Sequence, residues 1–167
     1  MTVNNSIKKV DYSGRTVDLL LLKTVLDVPV VNKRVGIDVS NVVGEPMIVS
    51  GIEKMVQRFV VLFVNAIGST KFRSGHGTDI VPSVGHGLVY NMATLESAAA
   101  EANMLASRQM YISDSYEETP DDEKLVDSKV VGLEFSRQKS MVRISIRLTT
   151  AAGDSYTYIV PVPVGVH

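Results

Sequence analysis

Near its C-terminus the sequence alternates side chains between two faces three times over, and this constrains the fold more than any other feature. Val131, Leu133 and Phe135 are separated by Gly132 and Glu134. Val142, Ile144, Ile146 and Leu148 are separated by Arg143, Ser145 and Arg147, and Tyr156, Tyr158 and Val160 by Thr157 and Ile159. A period of two places each set on one face of a pleated strand. Turn-forming residues fall at 137–140 and at 151–154, the second carrying Gly153. The spacing predicts an antiparallel meander of three strands. Pro161 and Pro163 lack a main-chain donor and belong at a sheet edge.

Upstream the period changes. Ile52, Met55, Val56, Phe59, Leu62, Phe63, Ala66 and Ile67 recur at helical spacing, opposite Lys54, Gln57 and Arg58. Ser50-Gly51-Ile52-Glu53 has the capping-box pattern, which predicts a start at Ser50, and Gly68 is the expected stop. This helix is expected to bury Met55, Phe59, Leu62 and Phe63 against the sheet. Residues 68–87 hold five glycines and Pro82 and read as an ordered loop. A second helix begins near Asn91, where Leu95, Ala98, Ala102 and Leu105 form a narrow stripe whose alanines permit close approach. Asp114, Glu117, Glu118, Asp121, Asp122 and Glu123 around Pro120 read as a solvated connection.

Residues 1–50 carry weaker signals. Val28-Pro29-Val30-Val31 and Val35-Gly36-Ile37-Asp38-Val39 read as short strands, and residues 15–26 suit helix or strand alike. We read 1–50 as an N-terminal extension packed on a domain spanning 51–167. The expected class is α+β: two amphipathic helices packed on a C-terminal antiparallel β-meander, with that extension.

Composition narrows the function. With 45% hydrophobic and 21% charged residues in 167, the chain can bury a core of its own. A net charge of −1 supplies no global attraction to nucleic acid or anionic lipid. There is no cysteine, which removes disulfides and thiolate metal sites and fits a reducing compartment. No apolar run approaches the ~20 residues that span a bilayer. Lys8 and Lys9 are not followed by the apolar segment of a secretory signal, so a protein that is cytoplasmic where it is made is expected.

The most chemical-looking segment is Ser74-Gly75-His76-Gly77-Thr78-Asp79, echoed by Gly85-His86-Gly87. His76, Asp79 and His86 define the alternative from a different class, a small metal-dependent hydrolase. The ligand set is incomplete, since the remaining histidine is His167 at the C-terminus. No serine occupies a G-x-S-x-G elbow, and Gly68-Ser69-Thr70-Lys71 lacks the order of a phosphate-binding loop. The acidic run lacks the spacing of a calcium loop. We therefore expect no enzyme, no catalytic residue, no metal and no cofactor. Arg137, Lys139, Arg143 and Arg147 gather on one hairpin, where they suit phosphates or an acidic partner surface, and a solvated strand face at least as well. Without interleaved aromatics they do not make a single-stranded nucleic-acid platform.

One set of residues organises these pieces. After the first helix come Gly68, Arg73, Gly77, Thr78 and Ile80, then a second helix and a terminal meander. In this order the last two thirds of the chain resembles the gene-25-like family of baseplate wedge proteins and tail sheath initiators from contractile phage tails. Ser69-Thr70 stands where the family has Glu-Arg, Ser74-Gly75 where it has Pro-Asp, and Ser107-Arg108-Gln109 near its Glu-Pro-Arg. The resemblance implies a structural virion protein, made in the host cytoplasm and placed where baseplate, tail tube and contractile sheath meet. Its implied partners are the sheath protein, the tube protein and the baseplate wedge and hub proteins, around a hexameric ring. Its implied mechanism is β-augmentation at a sheet edge, templating the sheath. On that reading the partner-binding residues are Tyr156, Tyr158, Ile159, Val160 and Val162 of the last strand, with Arg143 and Arg147 adding charge. Another tail-completion or connector protein is the alternative within the same class.

Overall fold

A computed structural model describes residues 18–19, 48–71, 73–136 and 141–164. The candidate strands at 28–31 and 35–39 and the turn at 137–140 lie outside the described residues. Of the N-terminal third, β1 (Asp18–Leu19) pairs antiparallel with β2 (Ile48–Val49). Three helices follow among the described residues, α1 (Ile52–Val64), α2 (Ile80–Gly85) and α3 (Met92–Tyr116). The chain then makes β3 (Leu125–Ser136), β4 (Met141–Thr150) and β5 (Ser155–Pro163), an antiparallel sheet in the order β3-β4-β5. The α+β class and the meander stand as the alternation predicts.

The period of two decides which side of the sheet is covered. On β4, Val142, Ile144, Ile146 and Leu148 are buried, while Arg143, Ser145 and Arg147 take the other face. On β5, Tyr158, Val160 and Val162 point into the same core and Ile159 points out. Strand β3 departs from simple alternation. Its register on β4 slips between Val130 and Gly132, so Val131 is the extra residue of a bulge and is exposed. Leu133 packs partly on the core, but Phe135 is 43% exposed.

Helix α1 packs on α3 and β5, α2 on β5, and α3 on β3. The interior of α1 is as its stripe predicts: Met55, Phe59 and Phe63 are fully buried, Leu62 is half-buried, and the two phenyl rings stack with centroids 6.0 Å apart. Its ends are not. The N-cap is Gly51 at φ 64° with no side-chain cap, and its N–H donates to Glu123 Oε1 at 3.0 Å. A carboxylate brought from elsewhere in the chain thus replaces the expected Ser50 cap, and Glu53 is exposed. The helix also stops at Val64, a turn before Gly68, because Ala66 leaves to pair in parallel with Thr78.

Helix α2 lies within the segment expected to be a loop. Pro82 is in its first turn, where a missing N–H costs nothing, and Ile80 and Val84 anchor it in the core. Helix α3 starts at Asn91 through a capping box, Asn91 Oδ1 accepting from Thr94 N–H and Thr94 Oγ1 from Asn91 N–H. Its buried line is Leu95, Ala99, Ala102, Ala106 and Met110, with Ala98 beside it. Three alanines in that line hold α1 and β3 close to the helix axis.

The acidic connection is not wholly solvated, which corrects the sequence reading. Glu123 is buried and pairs with buried Lys54 at 2.8 Å. Asp114 is buried as well, accepting from Arg58 Nη2 at 2.9 Å and from Thr119 Oγ1 at 3.2 Å. Each carboxylate answers a cation on the polar flank of α1.

Burial, with Tyr156 nearby as a smaller contributor, holds the Tyr158 phenol above its ordinary value. Raised in the folded state, it leaves stability intact below about pH 10. Above that the unfolded chain gives up its proton first, so stability falls as pH rises through the folded value. Urea midpoints are expected to fall from about pH 10 upward, and Tyr158→Phe is expected to flatten that slope.

Candidate functional site

Gly77, Thr78 and Ile80 form a structural lock at the end of α1, while Gly68 and Arg73, the other residues of the motif, are exposed and take no part in it. Gly77 is at φ 110°, and a Cβ there would lie 2.4 Å from Asn65 O. Only glycine fits that approach. Thr78 N–H then donates to Asn65 O at 2.7 Å, and Thr78 Oγ1 donates to Phe63 O. From α3, Gln109 clasps the same glycine twice, accepting from Gly77 N–H and donating to Gly77 O, both at 2.9 Å. Ile80 completes the lock in the core. Gln109 was not legible from sequence, because a mid-helix glutamine gives no sign of its target. Gln109→Ala strips both bonds from a buried peptide and is expected to cost about 1–3 kcal/mol in urea unfolding.

His76 and His86 sit on the two Gly-His-Gly loops that flank α2. His86 and Asp79 are exposed and His76 is half-buried. Among the described residues no group of three metal-ligating side chains is close enough to hold an ion. Among the same residues no helix is long and apolar enough to cross a membrane.

The remaining candidates belong to the sheet. Of the side chains expected to meet a partner, Tyr158, Val160 and Val162 are committed to the core, and Tyr156 packs against it. A side chain enclosed by its own domain cannot fill a partner's pocket. Ile159 is available, at 49% exposure. Arg143 faces Glu134 across the strands at 3.6 Å, while Arg147 is exposed between Lys129 and Thr157. An exposed ion pair of this kind contributes roughly 0–1 kcal/mol.

What the meander offers a partner is therefore main chain, and the alternation of antiparallel pairing tells which groups point outward. Pro161 and Pro163 cannot donate into the ladder, so residues 155, 157, 159, 161 and 163 of β5 turn their main chain away from β4. On β3 the same alternation turns Val126, Ser128 and Val130 outward and, past the bulge, Leu133 and Phe135. Helix α3 bears this out. Tyr111 Oη donates to Val126 O at 2.9 Å and Asn103 Nδ2 to Ser128 O at 3.2 Å. Beyond Ser128 the helix gives no such bond, and an open groove of about 390 Å³ lies between Met92, Glu96 and residues 130–133.

No protein-family model, curated protein or solved structure matches this chain.

Proposed function

We propose that this chain is a structural protein of a contractile phage tail, a baseplate wedge component or sheath initiator that templates the sheath by accepting strands at the edge of its meander. The observation that carries this reading is the coincidence of two features. Three of the five residues behind the resemblance, Gly77, Thr78 and Ile80, have a shared structural task at the end of α1. The sheet that follows offers outward main chain at both of its edges. Strand addition needs no catalytic group, only unpaired donors and acceptors in register. Its partners on this reading are the sheath, tube and baseplate wedge and hub proteins, with the copies in a hexameric ring.

Locating the chain in an electron-microscopy map of an intact particle tests the proposal. A ring of copies where tube, baseplate and first sheath layer meet is the expected result. Density at the head-to-tail connector would favour the connector reading, and absence from the particle would end both. Truncation at Val160 is an unsuitable test, because Val160 and Val162 are core residues.

A further inference from the structure

We infer that the receiving edge is the C-terminal half of β3, and that its occupant is an extended segment of a partner chain with a lysine or arginine set over Glu96. This rests on the strand-addition reading above and deepens it. The two edges of the sheet are not equivalent. On β5 the outward positions 161 and 163 are prolines, so that end accepts hydrogen bonds but donates none, a common protection against strand addition. Its remaining outward donors are those of Ser155, Thr157 and Ile159.

On β3 the position is reversed. Helix α3 covers the edge at Val126 and Ser128 and then leaves it open. Among the described residues, outward N–H and C=O groups are left without a strand partner at Leu133 and Phe135, with no proline among them. The groove beside them has Met92, Val130 and Leu133 as apolar lining. Phe135, Met92 and Val131 are each at least 40% exposed at this end of the molecule, an unusual concentration for a solvated edge. An extended chain satisfies both needs at once, its main chain pairing with Leu133 and Phe135 and alternate side chains entering the groove. Charge complementarity fixes the third feature. Glu96 lines the groove and has no ion pair among the described residues, so a cation on the incoming strand gains a partner there.

The probe is a ten-residue synthetic peptide of alternating valine and threonine with one central lysine, against a twin carrying glutamate in place of that lysine. Binding to the full chain is read by fluorescence anisotropy. The wild type is expected to prefer the lysine peptide, and Leu133→Pro to weaken it by roughly tenfold or more through loss of an outward donor. Leu133 sits outside the ladder bonds, so circular dichroism should show the fold retained. Ile159→Pro, the matching change on β5, should leave binding unchanged. Glu96→Lys, on the exposed helix surface, should reverse the preference between the peptides. Loss of binding in Ile159→Pro with retention in Leu133→Pro would overturn the inference in favour of β5. No binding by the wild type, or no preference between the peptides, would overturn it as well. Particles supplied with Leu133→Pro protein separate this from the virion reading: peptide binding lost while full-length sheaths still form leaves the edge assignment standing and refutes the sheath role.

Discussion

Phe59→Ala is expected to lower the stability of the chain by about 3–5 kcal/mol, the cost of removing a fully enclosed phenyl ring. The ring has no solvent exposure and stacks on Phe63 with its centroid 6.0 Å away. It sits where α1 meets α3 and β5, so the void left behind would be walled by three elements that cannot all move in. Urea unfolding followed by circular dichroism measures the change. A loss below about 1 kcal/mol would mean that the neighbours collapse around the alanine, contrary to an interior packed at crystal-like density.

Glu123→Ala is expected to be of similar size, about 3–5 kcal/mol, for an electrostatic reason. Glu123 Oε2 lies 2.8 Å from Lys54 Nζ, and both side chains are almost wholly removed from water. Taking away the carboxylate removes the 2.8 Å partner of a buried ammonium, and it also removes the acceptor that Gly51 N–H uses to begin α1. The double variant Lys54→Met with Glu123→Leu separates the two effects. It is expected to recover most of the loss, since a buried pair adds little over well-packed apolar groups of its volume. Should the double variant be as unstable as Glu123→Ala alone, the start of α1 and not the charge is the larger contribution.

Much of this architecture was legible because it depends on local period. The alternation on β4 and β5 identified their inward faces residue by residue, and the α1 stripe placed Met55, Phe59 and Phe63 inside. Asn91 announced α3 because a cap acts on the three residues beside it. What escaped the reading depends on residues far apart in the chain. The start of α1 looked like a Ser50 capping box, but the true acceptor is Glu123, and nothing near Ser50 signals it. The acidic run looked solvated because carboxylates usually are, and the cations that bury Asp114 and Glu123 lie on another element. Helix α2 was hidden by Pro82, which reads as a breaker until its place in the first turn is known.

The candidate site divides in the same way. That the last strand lies at an edge followed from its prolines. That Tyr158, Val160 and Val162 face inward required knowing which face the helices cover. The bulge at Val131 and the groove beside Glu96 leave no mark in the sequence, since each depends on how α3 lies along β3.

The bond between Glu123 and the first turn of α1 also bears on when the molecule can be finished. Gly51 and Lys54 must wait for a residue 72 and 69 positions further on. During synthesis at ~5–20 residues per second, α1 spends several seconds at the ribosome before that carboxylate is made. For much of that interval its apolar stripe lacks its cover, since α3 is completed only at Tyr116 and the sheet is made after it. Closing so long a loop is an entropic cost met late, and proteins built on distant contacts fold slowly for that reason. The growing chain therefore depends on segments made later, α3 and β5, to cover α1.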